Sequence, residues 1–410
     1  MGIAANQQRR FLDFLAQLRP HLARDSALPR RIKELLGRDR AVGSRDRRLY
    51  RELIYTALRF LPWVQPLLDP EPAIAARVIA FLAPDLAATK AYRAELLDDW
   101  TPAPDRADLR TRASMLAGYL ARELDPQALL PGWFRPHCPA AFESPHLDAL
   151  NERAALWIRL QCTNRGTVFD EFRARGWVAV LSGEPPDAVC LPSDVDVTGT
   201  DAYRRGFIEI QDLGSQLVLL HAPVQPGQRW LDACAGAGGK TLQLARLVGD
   251  SGHVDAVDIR PEILDELRDR TLRARLANVR ITNIPGDGYD GVLVDAPCSG
   301  TGTWRRQPHL KWYLRPEMPG EFARDQQLIL RLNAARVRPG GLLVYATCSL
   351  SHVENRDVVA AFLQQHPEFA PEKPAQDWGA VPDADGFGQT LLPGTRNTDG
   401  FYVALLRRHA

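Results

Sequence analysis

The second half of the chain is predicted to fold as an α/β domain with a doubly wound, Rossmann-like parallel sheet. Three observations support this prediction. Short apolar runs alternate with helical stretches after residue 206, as in RWLDAC followed by KTLQLARLV. Small or acidic residues follow these apolar runs, where an open α/β sheet places its ligands. No internal repeat or low-complexity tract favours a solenoid or a tail. We therefore expect this domain to span residues 206–410.

Two further regions precede this domain. Residues 1–135 carry apolar residues at three- and four-residue spacing, as in Phe11, Phe14, Leu15 and Leu18, which predicts an all-helical domain. Residues 136–205 begin with a proline-rich break and continue with the strand-like runs ALWIRLQC, WVAVLS and AVCLPS. This pattern indicates a linker and a small mixed α/β unit.

The composition is that of a globular protein, with 410 residues of which 45% are hydrophobic and 25% charged. No run approaches the roughly 18 apolar residues of a membrane span, and the first residues lack the apolar stretch of a secretory signal. Six cysteines without CxxC spacing argue against a zinc site and a disulfide framework. We expect a cytoplasmic monomer with no metal and no membrane partner.

Charge is distributed unevenly along the chain. The net charge is only +1, but the first 60 residues hold 14 Lys or Arg against 6 Asp or Glu, a local net of +8. Such a surface is typical of proteins that bind phosphates. A solvated helical surface is the alternative explanation, and charge alone does not decide between the two.

A loop of small residues follows the first predicted strand of the α/β domain and leads directly into a helix. Small side chains let a ligand approach the backbone, and free amides at a helix N-terminus favour an anionic group. A P-loop would need glycine where Cys234 stands, and a dinucleotide GxGxxG loop would need glycine where Thr241 stands. The loop therefore predicts a different ligand, with these residues as candidates for binding it: Cys234, Ala235, Gly236, Ala237, Gly238, Gly239 and Lys240.

Asp258 ends the next apolar run, HVDAVDI. Open α/β folds commonly place an acid there against ribose hydroxyls, which suits an adenosyl group. A helix N-cap is the alternative role, because Arg260-Pro261-Glu262 follows.

Two cysteines are predicted at the same edge of the sheet. Asp295 and Cys298 follow the run GVLV in the segment DAPCSGTG, and Cys348 closes the strand in YATCSLS. A cysteine that ends a buried strand usually serves as a small packed hydrophobe. Two of them, each followed by serine and lying near an acid and a small-residue loop, favour a catalytic role.

The segments DACAGAGGKT, DAPCSGTG with RRQPHLKW, and YATCSLSHVEN resemble the signature of the NOL1/NOP2/Sun family of RNA cytosine-5 methyltransferases. GFIEIQDLGSQLV and TDGFYVALLRR resemble the beginning and end of its catalytic domain, so the resemblance covers residues 206–410. VGSRDRRLYRELIYTALR resembles the NusB-like helical domain of bacterial 16S ribosomal RNA methyltransferases of the Sun type. The resemblance implies a class I methyltransferase fold for the α/β domain and an RNA-binding, NusB-like domain at residues 1–135.

The resemblance also implies the chemistry: S-adenosylmethionine as methyl donor and carbon 5 of a cytosine in RNA, most directly 16S rRNA, as acceptor. Cys348 would be the nucleophile, because this RNA family uses the cysteine of Thr-Cys-Ser. Asp295 would hold the base edge, Lys240 would help the thiol to ionise, and Cys298 would assist the final elimination.

Three departures from the family pattern bear on the site. Ala237 stands where the family usually has proline, which removes a φ restraint but not the backbone approach. The stretch before the Pro-Cys strand is short, so the acid expected against the adenine is Asp287, with Asn283 as the alternative. Arg159 lacks the asparagine that usually follows it, which leaves the RNA contacts of the small unit open.

Basic residues interleaved with aromatics follow the Pro-Cys loop, a pattern that suits single-stranded RNA. The candidate RNA contacts are Arg305, Arg306, Lys311 and Trp312, with a surface helix as the alternative explanation. Two other functions stay open on the sequence: a tRNA cytosine-5 methyltransferase, and a ribosome-assembly factor that has lost catalysis.

Overall fold

The computed structural model describes residues 2–39, 42–104, 106–374 and 377–409. The chain forms two compact units. The helical unit comprises Met1–Arg153 and Thr303–Pro316, and the sheet unit comprises Ala154–Gly302 and Glu317–Ala410. Residues 303–316, predicted as part of the α/β domain, therefore cluster with the helices. The small unit predicted before residue 206 clusters with the large sheet from residue 154 onward.

The helical unit is built on helices whose apolar faces are buried, as their spacing predicts. Phe14 on the first helix packs edge-on against Tyr50 on the third, with ring centroids 5.3 Å apart. Its helices are α1 Ile3–Leu18, α2 Leu28–Arg38, α3 Ser44–Arg59, α4 Leu61–Val64, α5 Pro72–Leu82, α6 Lys90–Leu97, α7 Leu109–Leu120 and α8 His146–Leu150. A NusB-like topology for this unit stays a prediction.

A small antiparallel sheet opens the sheet unit, with the strand order β2-β3-β1-β4. Each of the three strand-like runs predicted before residue 206 contributes one strand. Apolar side chains of the sheet, including Ile158 and Val189, pack with Phe172 of a covering helix. The elements are β1 Leu156–Leu160, α9 Arg165–Ala174, β2 Val180–Leu181, β3 Ala188–Leu191, α10 Asp201–Arg204 and β4 Ile208–Ile210.

The large sheet has nine strands in the order β11-β12-β13-β9-β8-β5-β6-β7, with β10 paired to β13. Its central strands β9, β8, β5, β6 and β7 are parallel, which confirms the predicted parallel sheet. The elements are α11 Leu213–Leu220, β5 Arg229–Asp232, α12 Gly239–Val248, β6 His253–Ala256, α13 Pro261–Ala274, β7 Val279–Ile281, β8 Tyr289–Asp295, α14 Leu310–Tyr313 of the helical unit, α15 Met318–Ala334, β9 Val337–Thr347, α16 Arg356–Gln365, β10 Phe369–Glu372, β11 Val381–Pro382, β12 Gln389–Leu391, α17 Pro393–Arg396 and β13 Phe401–Arg408.

Both faces of the large sheet are buried, as expected for parallel strands covered by helices. Neighbouring residues of β5 point to opposite faces: Trp230 packs with Leu244 of α12, whereas Leu231 packs with Leu330 of α15. This two-sided core fixes the strand ends and the loops that leave them.

No helix within the described ranges has both the length and the apolar character needed to cross a bilayer.

Candidate active site

The candidate site lies at the carboxyl edge of the parallel strands. β5 pairs with β6 on one side and with β8 on the other, so the strand order reverses there, where such sheets bind ligands. Asp232 ends β5, Asp258 follows β6, Asp295 ends β8 and Cys348 follows β9. The sheet therefore brings three predicted site residues, Asp258, Asp295 and Cys348, to one edge together with Asp232.

The small-residue loop, residues 234–239, turns sharply from β5 into α12. Gly236 has a φ of +52° and Gly238 a φ of +89°, a region that favours glycine. A Cβ on Gly238 would lie 2.1 Å from Cδ1 of Leu267 on α13, so a larger residue would have to displace that leucine in addition to straining the backbone. The loop brings its backbone to the N-terminus of a ten-residue helix, an arrangement suited to an anionic ligand group.

Asp232, at the end of β5, stabilises this turn through a hydrogen bond to the first turn of α12. Its Oδ2 accepts a hydrogen bond of 2.7 Å from the Thr241 hydroxyl on α12, and the carboxyl is buried. Burial raises the pKa of Asp232 to about 7. The residue therefore has a structural role in positioning the loop.

Asp258 accepts hydrogen bonds from the loop and from its own neighbour. The Gly236 N–H donates to Oδ2 at 2.9 Å, and the backbone N–H and Nε of Arg260 donate to Oδ1 at 3.0 and 2.9 Å. Burial alone would raise the pKa of Asp258, but the hydrogen bonds from Arg260 and Gly236 outweigh it and lower the pKa. Asp258 is thus an ionised acceptor beside the loop, and its contact with Arg260 also serves the start of α13.

Lys240 and Asp295 form an ion pair of 2.7 Å between α12 and the end of β8. Side-chain exposure is 8% for Lys240 and 30% for Asp295. The carboxylate therefore keeps access to the edge of the sheet while the ammonium group beneath it is enclosed. The pair presents one oriented acid beside the two cysteines.

The Sγ atoms of Cys298 and Cys348 lie 3.3 Å apart. The contact with Cys348 and burial both raise the pKa of the Cys298 thiol well above its usual value. Both cysteines are half-buried residues, whereas the strand residues before Cys348 are buried. Two thiols in contact at this edge of the sheet are placed to act on neighbouring atoms of one substrate, whereas packing in the core does not require such a contact.

Glu354 connects the two cysteine loops and was not identified from the sequence. Its carboxylate accepts from the Ser299 N–H at 2.8 Å and from the Ser349 hydroxyl at 2.7 Å. Gln326 donates both to Glu354 and to the carbonyl of Pro297, at 3.2 and 2.9 Å. Burial raises the pKa of Glu354. The serines that follow both cysteines were the available signal, since each binds this carboxylate.

Arg159 lies beneath the small-residue loop and is buried, which lowers its pKa to about 9. Its Nη1 donates to the carbonyl oxygen of Gly239 at 3.0 Å, and its Nη2 donates to Gln161 at 3.1 Å. Arg159 therefore stabilises the loop from β1, and its guanidinium is not a surface group for RNA.

Asp287 lies at the opposite edge of the sheet, so the prediction that it contacts an adenine is wrong. It precedes β8 by two residues and forms an ion pair of 3.2 Å with Arg336, just before β9. Its carbonyl accepts from Arg229, the first residue of β5. Asn283, the alternative, follows β7 and lies at the carboxyl edge.

Two exposed isoleucines stand beside the site and were also not identified from the sequence. Ile259 is 91% exposed after β6, and Ile284 is 85% exposed after β7. Because β6 and β7 are adjacent and parallel, both side chains lie at the carboxyl edge next to Asp258. A single exposed apolar residue is ordinary, but two of them beside Asp258 offer an apolar surface to a ligand.

Lys311 and Trp312 belong to α14 in the helical unit. Lys311 Nζ donates to Asn151 Oδ1 at 2.6 Å and to the carbonyls of Arg59 and Leu129 at 2.9 and 3.2 Å. The ammonium group is buried, which lowers the pKa of Lys311 well below its usual value. Lys311 is therefore a structural residue, and the prediction that it contacts RNA is wrong. The Trp312 indole N–H donates to the carbonyl of Leu58 at 2.7 Å, and its stacking on RNA stays a prediction.

Arg305 is also buried, and its Nη2 donates to the carbonyl oxygen of Arg153 at 3.3 Å within the helical unit. This arrangement contradicts its predicted contact with RNA. Arg306 next to it is exposed, so its RNA contact stays a prediction.

This chain matches an rRNA methyltransferase family model and bacterial relatives named as rRNA methyltransferases. A family model described as "16S rRNA methyltransferase RsmB/F" matches residues 218–407. Ribosomal RNA small subunit methyltransferase B of Salmonella newport (strain SL254) is 34% identical over 305 residues, covering 69% of this chain and 67% of the relative. The Vibrio cholerae protein of the same name is 33% identical over 279 residues, covering 64% of this chain and 61% of the relative.

Solved structures share the fold. The crystal structure of PH0851 covers the whole of both chains with a TM-score of 0.75 at 21% identity. That of NSun6 from Pyrococcus horikoshii with SFG covers 68% of this chain and 98% of the other, with a TM-score of 0.62 at 18% identity. These similarities support the architecture described above.

Proposed function

The chain belongs to the RsmB/F family of 16S rRNA methyltransferases, and from that premise we propose that it methylates carbon 5 of a cytosine in 16S rRNA through a covalent adduct with Cys348. The enzyme is an RNA methyltransferase that depends on S-adenosylmethionine. The observation that carries the finer proposal is the contact between the Cys298 and Cys348 thiols, 3.3 Å apart and next to the strand end that carries Asp295.

The residues at the carboxyl edge fit S-adenosylmethionine. A Cβ on Gly236 would meet no described atom within 4 Å, so the loop backbone is open to a ligand next to the N-terminus of α12, where a carboxylate would bind. Asp258 would accept from ribose hydroxyls in place of the half-exposed Arg260 side chain. Ile259 and Ile284 would pack against the adenine. The donor supplies an electrophilic methyl group on a sulfonium centre.

Cytosine carbon 5 is a weak nucleophile, so a thiolate must first add to carbon 6. Cys348 would form that sulfur–carbon bond, which moves electron density to carbon 5 and allows carbon 5 to accept the methyl group. A base stacked in a duplex is unreachable, so the cytosine must be unpaired or turned out of its stack.

Asp295 would bind the polar edge of the cytosine, at the exocyclic amine and ring nitrogen. The ion pair with Lys240 fixes the direction of the carboxylate before the substrate arrives, and a fixed partner stabilises developing charge at little reorganisation cost.

Cys298 would complete the reaction. After methylation, the proton on carbon 5 moves to the Cys298 sulfur, the carbon 5–carbon 6 double bond re-forms, and the bond to Cys348 breaks. Contact with Cys348 is the largest cause of the raised pKa of Cys298. Once the Cys348 sulfur is bonded to carbon 6 that contact is lost, so Cys298 is expected to ionise more readily at the step where a base is needed.

Methyl transfer to 16S rRNA from S-adenosylmethionine labelled in its methyl group tests the proposal. We expect wild-type protein to label 16S rRNA, with the label recovered as 5-methylcytosine after nuclease digestion. Cys348→Ala should abolish labelling without forming an adduct. Cys298→Ala should accumulate an RNA–protein adduct that survives denaturing electrophoresis. Label in tRNA alone, or an adduct trapped by Cys348→Ala, would contradict the proposal.

A further inference from the structure

A cleft of about 330 Å³ lies entirely within the helical unit. We call it the arginine cleft. Its lining carries five arginines against two acids, Asp85 and Glu152, a net charge of +3 among the described residues. The five are Arg59, Arg93, Arg106, Arg112 and Arg153.

Two of these arginines are neutralised by acids of the helical unit. Arg153 binds Glu52 at 3.0 Å, and Arg93 lies 3.5 Å from Asp85. These two pairs leave Arg59, Arg106 and Arg112 against the single acid Glu152 in the lining, a net charge of +2.

Arg59 is 5% exposed at the end of α3. Its Nη2 donates to the carbonyl oxygen of Arg305 at 3.3 Å, while its Nε is buried without a hydrogen-bond partner among the described residues. No carboxylate of the described chain lies within 4.0 Å of it. Glu52 acts on Arg59 only from beyond that distance and is itself paired with Arg153. A buried guanidinium without a direct counter-ion is costly, and an anion in the cleft would offset that cost.

Arg112 on α7 and Arg106 before it extend the positive lining. Arg112 Nε donates to the carbonyl of Ala107 at 2.9 Å, and neither arginine has an ion pair among the described residues. Glu152 raises the pKa of Arg112 electrostatically, but the two side chains lie farther apart than the 4.0 Å of an ion pair. Nitrogens of three guanidinium groups are thus left to bind a ligand.

Apart from Asn151, the rest of the lining is apolar and includes Phe60, Phe81, Pro84 and Pro104. A cleft lined by both arginines and apolar side chains suits a nucleotide, whose phosphate binds guanidinium groups while its sugar and base pack on apolar side chains. The volume lies in the range of small-ligand pockets, which is enough for one nucleotide unit.

We propose that the arginine cleft binds a phosphodiester of the RNA substrate, as a docking site additional to the catalytic edge. The inference rests on the proposed function only in taking RNA as the substrate. Guanidinium groups match phosphate oxygens in pairs, which favours a phosphodiester over a carboxylate ligand.

Binding of a fluorescent single-stranded 16S rRNA fragment to the full chain tests this site without turnover. Arg112→Gln should raise the Kd roughly tenfold and lower the slope of log Kd against log salt by about one. Arg110→Gln is the matched control, because Arg110 is an exposed residue of the same helix outside the cleft. Arg112→Lys keeps the charge and should restore the salt slope.

Arg106→Asn provides a second variant that does not depend on buried packing. Arg106 is exposed with a φ of +61°, which asparagine tolerates, so folding should persist while the charge is removed. Unchanged RNA affinity in both Arg112→Gln and Arg106→Asn would overturn the proposal. Inorganic phosphate that binds wild type but does not compete with RNA would overturn it too, by assigning the cleft to a free anion. If the wild-type protein binds the RNA fragment through the cleft but forms no 5-methylcytosine, that result would count against the proposed function alone.

Discussion

Lys240 on α12 and Asp295 at the end of β8 are joined by an ion pair of 2.7 Å, and the ammonium group is the more enclosed partner. Removing only the lysine leaves a partly enclosed carboxylate without its counter-charge. We expect Lys240→Met to lower the free energy of unfolding by about 2 kcal/mol and to reduce methyl transfer strongly. The double variant Lys240→Met/Asp295→Asn should lose less stability than the two single losses added together. Additive losses in urea titrations would mean that the pair is not coupled.

Glu354 is expected to act as a positioning residue, because it binds the serine after each cysteine. We expect Glu354→Ala to lower kcat about 100-fold while the Kd for S-adenosylmethionine stays unchanged. In a Cys298→Ala background it should also slow formation of the trapped RNA adduct. Asp357→Asn is the control, since Asp357 is a nearby acid whose ion-pair partner is His352 and which does not contact the cysteine loops in the described part of the chain. Equal losses of kcat and thermal stability in both variants would point to a general effect on folding.

The cysteine loops show how far the sequence predicts this site. Motif residues such as Asp295 and Cys348 stand directly at strand ends, so recognising the strands is enough to place them at one edge. Glu354 is fixed by two loops folding onto one carboxylate, a contact between distant segments that no local pattern records. The two serines beside the cysteines were visible, but their common partner was not.

Asp287 shows a different limit. Only residues 282–288 connect β7 to β8, and within that short span the chain must pass from the carboxyl edge back to the amino edge. A residue two positions before β8 must lie at the amino edge, so strand boundaries were needed to place it. Residues 303–316 pose the same problem on a larger scale. Their basic and aromatic pattern suggests a surface, whereas Lys311 is held by three oxygens of the helical unit.

Asp287 and Ile259 lie at opposite edges of the sheet, so substituting each of them tests where the adenine of S-adenosylmethionine binds. Asp287→Ala should leave the Kd for S-adenosylmethionine unchanged, because Asp287 lies at the amino edge. Ile259→Ser should raise that Kd roughly tenfold, because it removes an exposed apolar side chain beside Asp258. Isothermal titration measures both values. Weaker binding in Asp287→Ala with normal binding in Ile259→Ser would place the adenine elsewhere.

Lys311→Met is expected to lower thermal stability rather than RNA affinity. The substitution keeps most of the side-chain volume but leaves three oxygen acceptors in the helical unit without their donor. The Tm should fall by several degrees, while the Kd for the 16S rRNA fragment should change less than twofold. Arg306→Gln is the counterpart, since Arg306 is exposed and its loss should spare the Tm. A normal Tm with weakened RNA binding in Lys311→Met would restore the original prediction.

Asp232 should make stability depend on pH. Burial raises its pKa in the folded protein to about 7, against 3.8 for an ordinary aspartate, so the folded state favours the protonated carboxyl. Its contribution to stability is therefore fully present below about pH 3.8 and is lost as the pH rises to about 7. Between pH 5 and pH 8 this loss should amount to roughly 2 to 3 kcal/mol. Asp232→Asn removes the titration while keeping an oxygen for the Thr241 hydroxyl, so its Tm relative to wild type should rise across that interval. Parallel Tm curves for the two proteins would show that Asp232 is already ionised in the folded state at pH 5.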